Sequence, residues 1–184
     1  MNEINTITRK QFNQNLLEIY EKSKLIDNKW KLINTNVLDD HENVLINYLE
    51  CIEQNLFENE LLTLTIHIVY SSSFNVPVLY LNINKSNGSL LSYKETYEYF
   101  KIKFEQESGD DLILTQQEHP ILFKPFYFIH PCKTSKWMSD SLIKDINTIN
   151  CEANYTLKWL SFVFSAFNLK LNLKYGMKLE QLKN

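Results

Sequence analysis

The clearest pattern of apolar and polar positions in the chain lies between residues 62 and 70. Large apolar side chains occupy every second position there, at Leu62, Leu64, Ile66, Ile68 and Tyr70. Alternation with a period of two predicts a β-strand with one face in the core, and we expect this strand to be central. Its antiparallel neighbour is predicted at Val76–Ile83, across the loop 71–75, with a turn at Asn87-Gly88 immediately afterwards.

Helical spacing of apolar residues occurs near both ends of the chain. The segment from Thr8 to Lys24 predicts an amphipathic helix, with Thr8 as N-cap and Gln11 completing a capping box. Its buried stripe is expected to contain Phe12, Leu16, Ile19 and Tyr20. A second helix is predicted at Asn154–Asn168, with a wide apolar face formed by Tyr155, Trp159, Leu160, Phe162, Val163, Phe164, Ala166 and Phe167.

Shorter segments predict the remaining elements. Strands are expected at Trp30–Asn34, Val44–Ile52 and Phe126–Ile129. Ser92 and Glu95 form a second capping box that opens a helix to about Phe100. The polar stretches 39–43 and 105–111 are predicted to be loops. A leading helix, a meander of about four antiparallel strands plus extra strands, and a trailing helix together indicate an α+β fold.

Length and composition favour one domain over residues 1–184. A chain of 184 residues with 44% hydrophobic content can bury one sizeable core. The longest apolar stretch, Leu157–Leu171, is interrupted by lysine, serine and asparagine, and the N-terminus lacks the apolar segment of a secretory signal. A net charge of −3 without a basic cluster argues against nucleic-acid binding. Arg9 and Lys10 are interpreted as solvated helix surface.

The three cysteines are too few and too irregularly spaced for a disulfide framework, so a reducing cytosolic compartment is expected. Cys51, within a predicted strand, and Cys151, before the last helix, are interpreted as inert. Cys132 differs, because Pro131 limits how far the aromatic strand 126–129 can continue before the thiol. We therefore expect Cys132 at the mouth of the fold, where it can act as a nucleophile.

The histidines indicate no metal site. His67 alternates within a strand and His119 precedes a proline, so both are interpreted as structural. The four histidines of the chain lack the cysteine and carboxylate spacing of metal centres. The sequence also lacks a Gly-x-x-x-x-Gly-Lys phosphate loop, and no cofactor is expected.

Four segments between residues 69 and 161 carry a resemblance to a known family. They are Val-Tyr-Ser-Ser-Ser-Phe-Asn-Val-Pro-Val-Leu-Tyr at 69–80, Gln-Gln-Glu-His-Pro-Ile-Leu at 116–122, His-Pro-Cys-Lys-Thr at 130–134, and Asn154-Tyr155 followed by Trp159-Leu160-Ser161. With these segments in this order, the chain resembles the autophagy-related protein ten family of E2-like enzymes. The N-terminal third agrees with that family only in pattern.

This resemblance implies the fold of ubiquitin-conjugating (E2) enzymes and a cysteine that carries a modifier. By this likeness, Cys132 would accept the ubiquitin-like autophagy protein twelve as a thioester. The donor would be the activating enzyme called autophagy-related protein seven, and the acceptor a lysine of autophagy protein five. The implied location is the cytoplasm, with peripheral presence at the autophagosome assembly site. A thiolate suits the role because it is both a strong nucleophile and a good leaving group.

The chain departs from ubiquitin E2 enzymes at one position of mechanistic importance. Those enzymes place a His-Pro-Asn tripeptide before the cysteine, and its asparagine supports the oxyanion, whereas Cys132 here directly follows His130-Pro131. Polar candidates for the missing role are Thr134, Tyr70, Asn75 and Gln116, of which Thr134 is favoured. His130 is expected to orient or pack the loop ahead of acting as a base.

Other functions stay open at this point. The chain could serve another autophagy modifier, act as a Cys-His hydrolase that releases its product to water, or be a catalytically silent binding module. Direct recognition of the acceptor is also expected, through an aromatic cluster that exceeds one core face. That cluster comprises Tyr93, Tyr97, Tyr99, Phe100, Ile102 and Phe104.

Overall fold

The computed structural model of the chain describes residues 6–39, 43–100, 114–131, 134, 138, 154–167 and 169–183. Its strands are β1 (Trp30–Leu38), β2 (Leu45–Phe57), β3 (Glu60–Ser71), β4 (Val76–Asn84), β5 (Leu114–Glu118) and β6 (Pro125–Ile129). Its helices are α1 (Arg9–Ile26), α2 (Tyr93–Phe100), α3 (Tyr155–Ala166) and α4 (Leu179–Leu182), with a 3₁₀ turn at Leu173–Gly176. The α+β arrangement predicted from the sequence is confirmed.

The strands form one antiparallel sheet in the order β1-β2-β3-β4-β6-β5. The first four strands make the predicted meander, in which β3 is central and its Ile66 lies between Cys51 of β2 and Leu81 of β4. Strand β6 lies beside β4, with Tyr80 opposite Phe128. Because β6 runs against β4, its end at Ile129 points toward the start of β4 and therefore toward the loop 71–75.

Both faces of the sheet are buried over its middle. The helices cover one face, where Leu62, Leu64, Ile66, Ile68 and Tyr70 join the main core as their alternation predicted. A second apolar cluster lies on the opposite face and contains Tyr48, Val69, Val76, Val78, Tyr80, Phe126 and Phe128. The second half of β3 is therefore buried on both sides, a feature more typical of a sheet interior than of an exposed face.

Helix α1 begins as its capping signals predicted. The Gln11 amide donates to the Thr8 hydroxyl at 3.1 Å, and the Thr8 amide donates to the Gln11 side chain at 2.9 Å. Lys10 is exposed, as expected. The interpretation of Arg9 as solvated surface is wrong, since Arg9 is only 4% exposed. An arginine at the first helical position also opposes the helix dipole, so this burial needs compensation by an anion.

Several boundaries differ from prediction because backbone pairing extends beyond the apolar pattern. Strand β1 continues to Leu38 rather than ending at Asn34. Strand β2 reaches Phe57 rather than Ile52, since its polar end pairs with β3 as far as Phe57 opposite Glu60. A ladder needs only backbone groups, so a long hairpin can carry polar side chains through its exposed end.

The predicted last helix is confirmed at α3, capped by the Asn154 side chain, which accepts from the Leu157 amide at 2.8 Å. Its apolar face is narrower than predicted. Trp159, Leu160, Val163 and Phe164 are buried in this helix, whereas Phe162 is 37% exposed and Ala166 is also exposed. Phe162 and Ala166 face solvent, as single apolar residues commonly do in folded proteins.

Of the four described residues of the predicted aromatic recognition cluster, two belong to the core. Tyr97 and Phe100 are 7% and 2% exposed, and only Tyr93 presents much surface at 44%. Ile102 and Phe104 lie outside the described residues, as does the predicted loop 105–111. Two of the predicted interface residues are thus unavailable to a partner, because they stabilise the packing of α2.

Candidate functional site

The site is built where β6 ends beside the loop 71–75. His130 directly follows β6, and its ring lies 5.6 Å from the Phe74 ring and 6.1 Å from the Phe128 ring, measured between centroids. Pro131 is buried. Both ring contacts are edge-on, an arrangement that stabilises aromatic pairs. These contacts fit the packing role expected for His130, while Cys132 itself lies outside the described residues.

The loop 71–75 is fixed at its end by Tyr70 and the N-terminal segment. The Tyr70 hydroxyl, buried at 5% exposure, donates to the Ile7 carbonyl at 2.7 Å and lies 3.1 Å from Asn75 Oδ1. The Asn75 amide donates to the Ser71 carbonyl, and the Asn75 carbonyl accepts from the Ile7 amide, at 2.8 and 2.9 Å. The structure thereby brings Tyr70 and Asn75 together and places them beside the residues that lead to Cys132.

The other two candidates are placed differently. Thr134 is 3% exposed, so its side chain lies inside the fold rather than open to an incoming substrate. Gln116 is exposed on the outer strand β5, opposite Tyr127. Asn75 is exposed and neighbours Phe74, which contacts His130. An oxyanion donor must reach the reacting carbonyl, so geometry favours Asn75 over Thr134 among these polar residues.

The cysteines separate by environment. Cys51 is 3% exposed, and burial raises the pKa of its thiol to about 12, assisted by the nearby Glu53 carboxylate. Such a thiol stays protonated near neutral pH and is a poor nucleophile. The inert role predicted for Cys51 fits this environment. Cys151 lies outside the described residues.

A buried ionic cluster beside the loop was missed by the sequence reasoning. Arg9 donates through Nε to Asp39 Oδ2 at 3.0 Å, and its Nη2 lies 2.8 Å from the same oxygen. The same Nη2 donates to the Ser72 hydroxyl at 2.8 Å. Arg9 at the start of a helix could have indicated this cluster, because a cation is unfavourable there unless an acidic side chain pairs with it.

The two structural histidines form a directional chain on the opposite sheet face. His119 Nδ1 accepts from the amides of Ile121 and Leu122, both at 3.2 Å, so the proton of the neutral ring lies on Nε2. Nε2 then donates to His67 Nδ1 at 3.1 Å, and His67 Nε2 donates to Glu50 at 3.2 Å. This chain ties the turn before β6 to strands β2 and β3.

Burial favours the neutral form of both rings. Burial, with the neighbouring charge of protonated His67, lowers the pKa of His119 from 6.5 to about 4. Burial also lowers the pKa of His67, although the Glu50 carboxylate partly opposes this effect. Each ring therefore resists protonation in the folded state more than it does in the unfolded chain.

Acidification should therefore destabilise the fold through His119. The unfolded chain takes up this proton near pH 6.5 and the folded chain only near pH 4, so the free energy of unfolding falls as the pH drops through that window. We expect the free energy of unfolding of His119→Gln, which cannot titrate, to fall by about 1 to 3 kcal/mol less than that of the wild type, since one pKa unit is worth about 1.4 kcal/mol. Urea unfolding at several pH values gives the pH dependence of the free energy of unfolding for the wild type and for the variant.

The matched control for this experiment is His130→Gln, which removes one histidine outside the chain of rings. Carboxylates also titrate at low pH, so only the difference between wild type and variant is informative. An identical pH dependence in wild type and His119→Gln would contradict the destabilisation assigned to this ring.

Two kinds of feature are absent from the described residues. No three His, Cys, Asp or Glu side chains come together there in a group that could hold a metal ion. In the same ranges, none of the helices has both the length and the apolar character needed to cross a membrane.

Comparison with known proteins identifies the family. Residues 6–174 match the family model described as "Autophagocytosis associated protein, active-site domain". The chain belongs to this family. The match includes the loop 71–75, strand β6 and Cys132, so the candidate site lies within the matched region. The family resemblance predicted from the four sequence segments is therefore confirmed.

Three relatives carry the name "Ubiquitin-like-conjugating enzyme ATG10". The Homo sapiens protein is 37% identical over 127 residues, covering 67% of this chain and 56% of its own length. The Dictyostelium discoideum protein is 37% identical over 114 residues (56% and 50%), and the Arabidopsis thaliana protein 33% over 123 residues (64% and 54%). The chain thus spans about half the length of these relatives.

Solved structures show the same fold. The crystal structure of autophagic E2, Atg10, superposes with a TM-score of 0.53 at 18% identity, covering 90% of this chain and 99% of that one. At this level of identity the likeness establishes the fold alone. The E2-type α+β fold expected from the sequence is confirmed.

Proposed function

We propose that this chain is an E2-like conjugating enzyme of autophagy. Its modifier would be the ubiquitin-like autophagy protein twelve, received from autophagy-related protein seven as a thioester on Cys132. Its product would be an isopeptide bond between that modifier and a lysine of autophagy protein five. The proposal is supported by three relatives named as ubiquitin-like-conjugating enzymes and by membership of an active-site domain family.

One observation carries the assignment of Cys132. Cys132 follows the buried strand β6 by three residues in the sequence, and His130 at the end of that strand contacts Phe74 of the loop 71–75, whereas Cys51 is buried with a thiol pKa raised to about 12. A thiol that exchanges acyl groups with partner proteins has to ionise and has to be reached by them. We expect Cys132, just after the end of β6, to meet both conditions.

The chemistry consists of two acyl transfers. In the first, the Cys132 thiolate attacks the thioester carbonyl held by the activating enzyme, and that enzyme's thiolate departs. In the second, a lysine amine of the acceptor attacks the Cys132 thioester, the amine loses a proton, and the Cys132 thiolate departs. The first transfer exchanges like for like, whereas the second forms a stable amide and proceeds in one direction.

The residues around Cys132 have distinct expected roles. His130 packs the segment against Phe74 and Phe128. Tyr70 lies within hydrogen-bond distance of Asn75 Oδ1, which leaves the Asn75 amino group as the end that can donate to a developing oxyanion. Thr134, buried beyond the cysteine, remains the second candidate for that donor.

Loading with the isolated components tests this proposal. With the activating enzyme, ATP and the modifier, the wild-type protein should form an adduct that reducing agent removes. Cys132→Ser should form an adduct that resists reducing agent, because an ester replaces the thioester, and Cys132→Ala should form none. Non-reducing gels with and without reductant provide the measurement.

Cys51→Ala is the matched control, since it removes a thiol that is buried, and it should load like the wild type. An adduct that survives in Cys132→Ala would move the acceptor cysteine elsewhere. Release of the modifier to water, without a trapped adduct or an acceptor conjugate, would favour a Cys-His hydrolase. Loading with a different autophagy modifier in preference to protein twelve would correct the substrate.

A further inference from the structure

We propose that Arg9 is a positioning residue for the transfer step, acting through the loop 71–75. Together with Asp39 and Ser72 it forms a buried ionic cluster that fixes this loop next to the end of β6. The inference rests on the proposed function, because the step that it affects is discharge of the Cys132 thioester. It adds three residues that lie in separate parts of the sequence.

Arg9 contacts both the loop 71–75 and Tyr70, the residue before it. Its Nη2 donates to the Ser72 hydroxyl at 2.8 Å, and its guanidinium carbon lies 4.7 Å from the centre of the Tyr70 ring. A guanidinium over an aromatic face is attracted by the ring, and its planar fork holds both partners in one geometry. Arg9 therefore holds the loop through a hydrogen bond to Ser72 and a contact with the Tyr70 ring.

Asp39 makes this arrangement possible. Its carboxylate receives both the Nε and Nη2 edges of Arg9, at 3.0 and 2.8 Å, and lies 3.4 Å from the Ser72 hydroxyl. Both charged side chains are buried, at 4% and 8% exposure of their residues. A cation buried at a helix N-terminus is unfavourable alone, and Asp39 offsets that cost with a charge-assisted pair.

The geometry reaches the candidate oxyanion donor through Tyr70. Arg9 stacks on the Tyr70 ring, the Tyr70 hydroxyl lies 3.1 Å from Asn75 Oδ1, and Phe74 contacts His130. A shift of the loop would therefore move the side-chain carboxamide of Asn75 and would also change the contact between Phe74 and His130. A displacement of about 1 Å at such a distance from the chemistry can cost about 10²-fold in rate.

A role in positioning explains the cluster better than a role in stability. Replacing a buried ion pair with apolar residues of similar size is often neutral or stabilising, so a pair of this kind is weak evidence for a contribution to folding. Apolar side chains could not donate a hydrogen bond to Ser72 while also stacking as a cation on the Tyr70 ring. The structure places that directional contact at the loop beside β6.

The decisive variant is the double substitution Arg9→Met, Asp39→Leu, which removes both charges and keeps an apolar filling. We expect this variant to load Cys132 within about 2-fold of wild type while discharge to autophagy protein five slows by about 10- to 100-fold. Arg9→Lys keeps the charge but loses the fork, and we expect an intermediate rate of discharge. Single-turnover assays of preloaded enzyme measure the two steps separately.

Lys22→Met is the matched control, because Lys22 is a second buried cation of α1, paired with Glu18 at 2.8 Å and remote from the loop 71–75. It should leave the ratio of discharge to loading unchanged. Ser72→Ala removes the Arg9 contact at an exposed residue, so it keeps the test available if the double variant does not fold. It should slow discharge in the same direction as the double variant.

A double-mutant cycle with Asn75→Gly separates positioning from stability. If Arg9 acts through the loop, its effect on discharge should largely vanish once the Asn75 side chain is gone. Additive effects, parallel losses of loading and discharge, or wild-type discharge in both Ser72→Ala and Arg9→Lys would overturn the inference. Absence of any loading in the wild type would instead refute the proposed function.

Discussion

Asn75→Gly is expected to slow discharge of the Cys132 thioester by about 10²- to 10³-fold, the usual loss for one oxyanion donor. Asn75 adopts a φ of 53°, where glycine is unstrained, so this substitution removes the side-chain carboxamide without disturbing the backbone. Loading should stay close to wild type, because thiol exchange needs less oxyanion stabilisation than attack by a lysine. Single-turnover loading and discharge assays give the two rates.

Asn59→Gly provides the control, since Asn59 also has a positive φ, of 68°, is exposed, and lies just before β3 begins, at the opposite end of that strand from the loop 71–75. Thr134→Val is the competing variant, because the sequence alone favoured Thr134 as the donor. Selective loss of discharge in Thr134→Val with normal discharge in Asn75→Gly would reverse the assignment. Equal slowing of both steps by Asn75→Gly would indicate that the residue packs the loop.

The largest loss of stability is expected from Trp159→Ala, about 3 to 5 kcal/mol in the free energy of unfolding. Trp159 is 2% exposed and joins the core between α3 and the sheet. Its removal deletes a large apolar surface and leaves a cavity that the surrounding side chains only partly fill. Urea unfolding followed by circular dichroism gives the value.

Trp159→Phe is the matched comparison. The Trp159 Nε1 atom is buried without a hydrogen-bond partner in the described part of the chain, so phenylalanine removes an unsatisfied donor along with some volume. We expect the loss to be less than half that of alanine. A phenylalanine variant as unstable as the alanine variant would show that the indole N–H does have a partner.

Sequence patterns predicted the elements whose local signals agree with their burial. The capping box at Thr8 and the cap at Asn154 each form between residues three positions apart, and the period-two run of β3 identifies the face of this strand that joins the main core. The buried strand β6, which ends three residues before Cys132 in the sequence, was likewise predicted from its own aromatic and β-branched residues. These features need no knowledge of the rest of the chain.

The remaining features depend on contacts between distant segments. Arg9 is buried because Asp39, 30 residues away, meets it across the fold. His67 and His119 form a pair over 52 residues. Apolar periodicity carries no information about such pairs, since it reports which face of an element is buried and not which polar group lies opposite. The polar half of the site was therefore predicted less well than its strands.

The asparagines with left-handed backbone conformation have a consequence for the unfolded chain. Five asparagines of the described residues hold φ between 52° and 68°, namely Asn28, Asn36, Asn43, Asn59 and Asn75, whereas the whole sequence has three glycines. Asparagine tolerates the left-handed region, yet its side chain restricts the disordered backbone more than glycine would. Folding therefore costs less conformational entropy at these positions than it would if they were glycines. Part of what holds the loop at Asn75 in one shape is thus a property of the denatured ensemble, and no contact in the folded molecule records it.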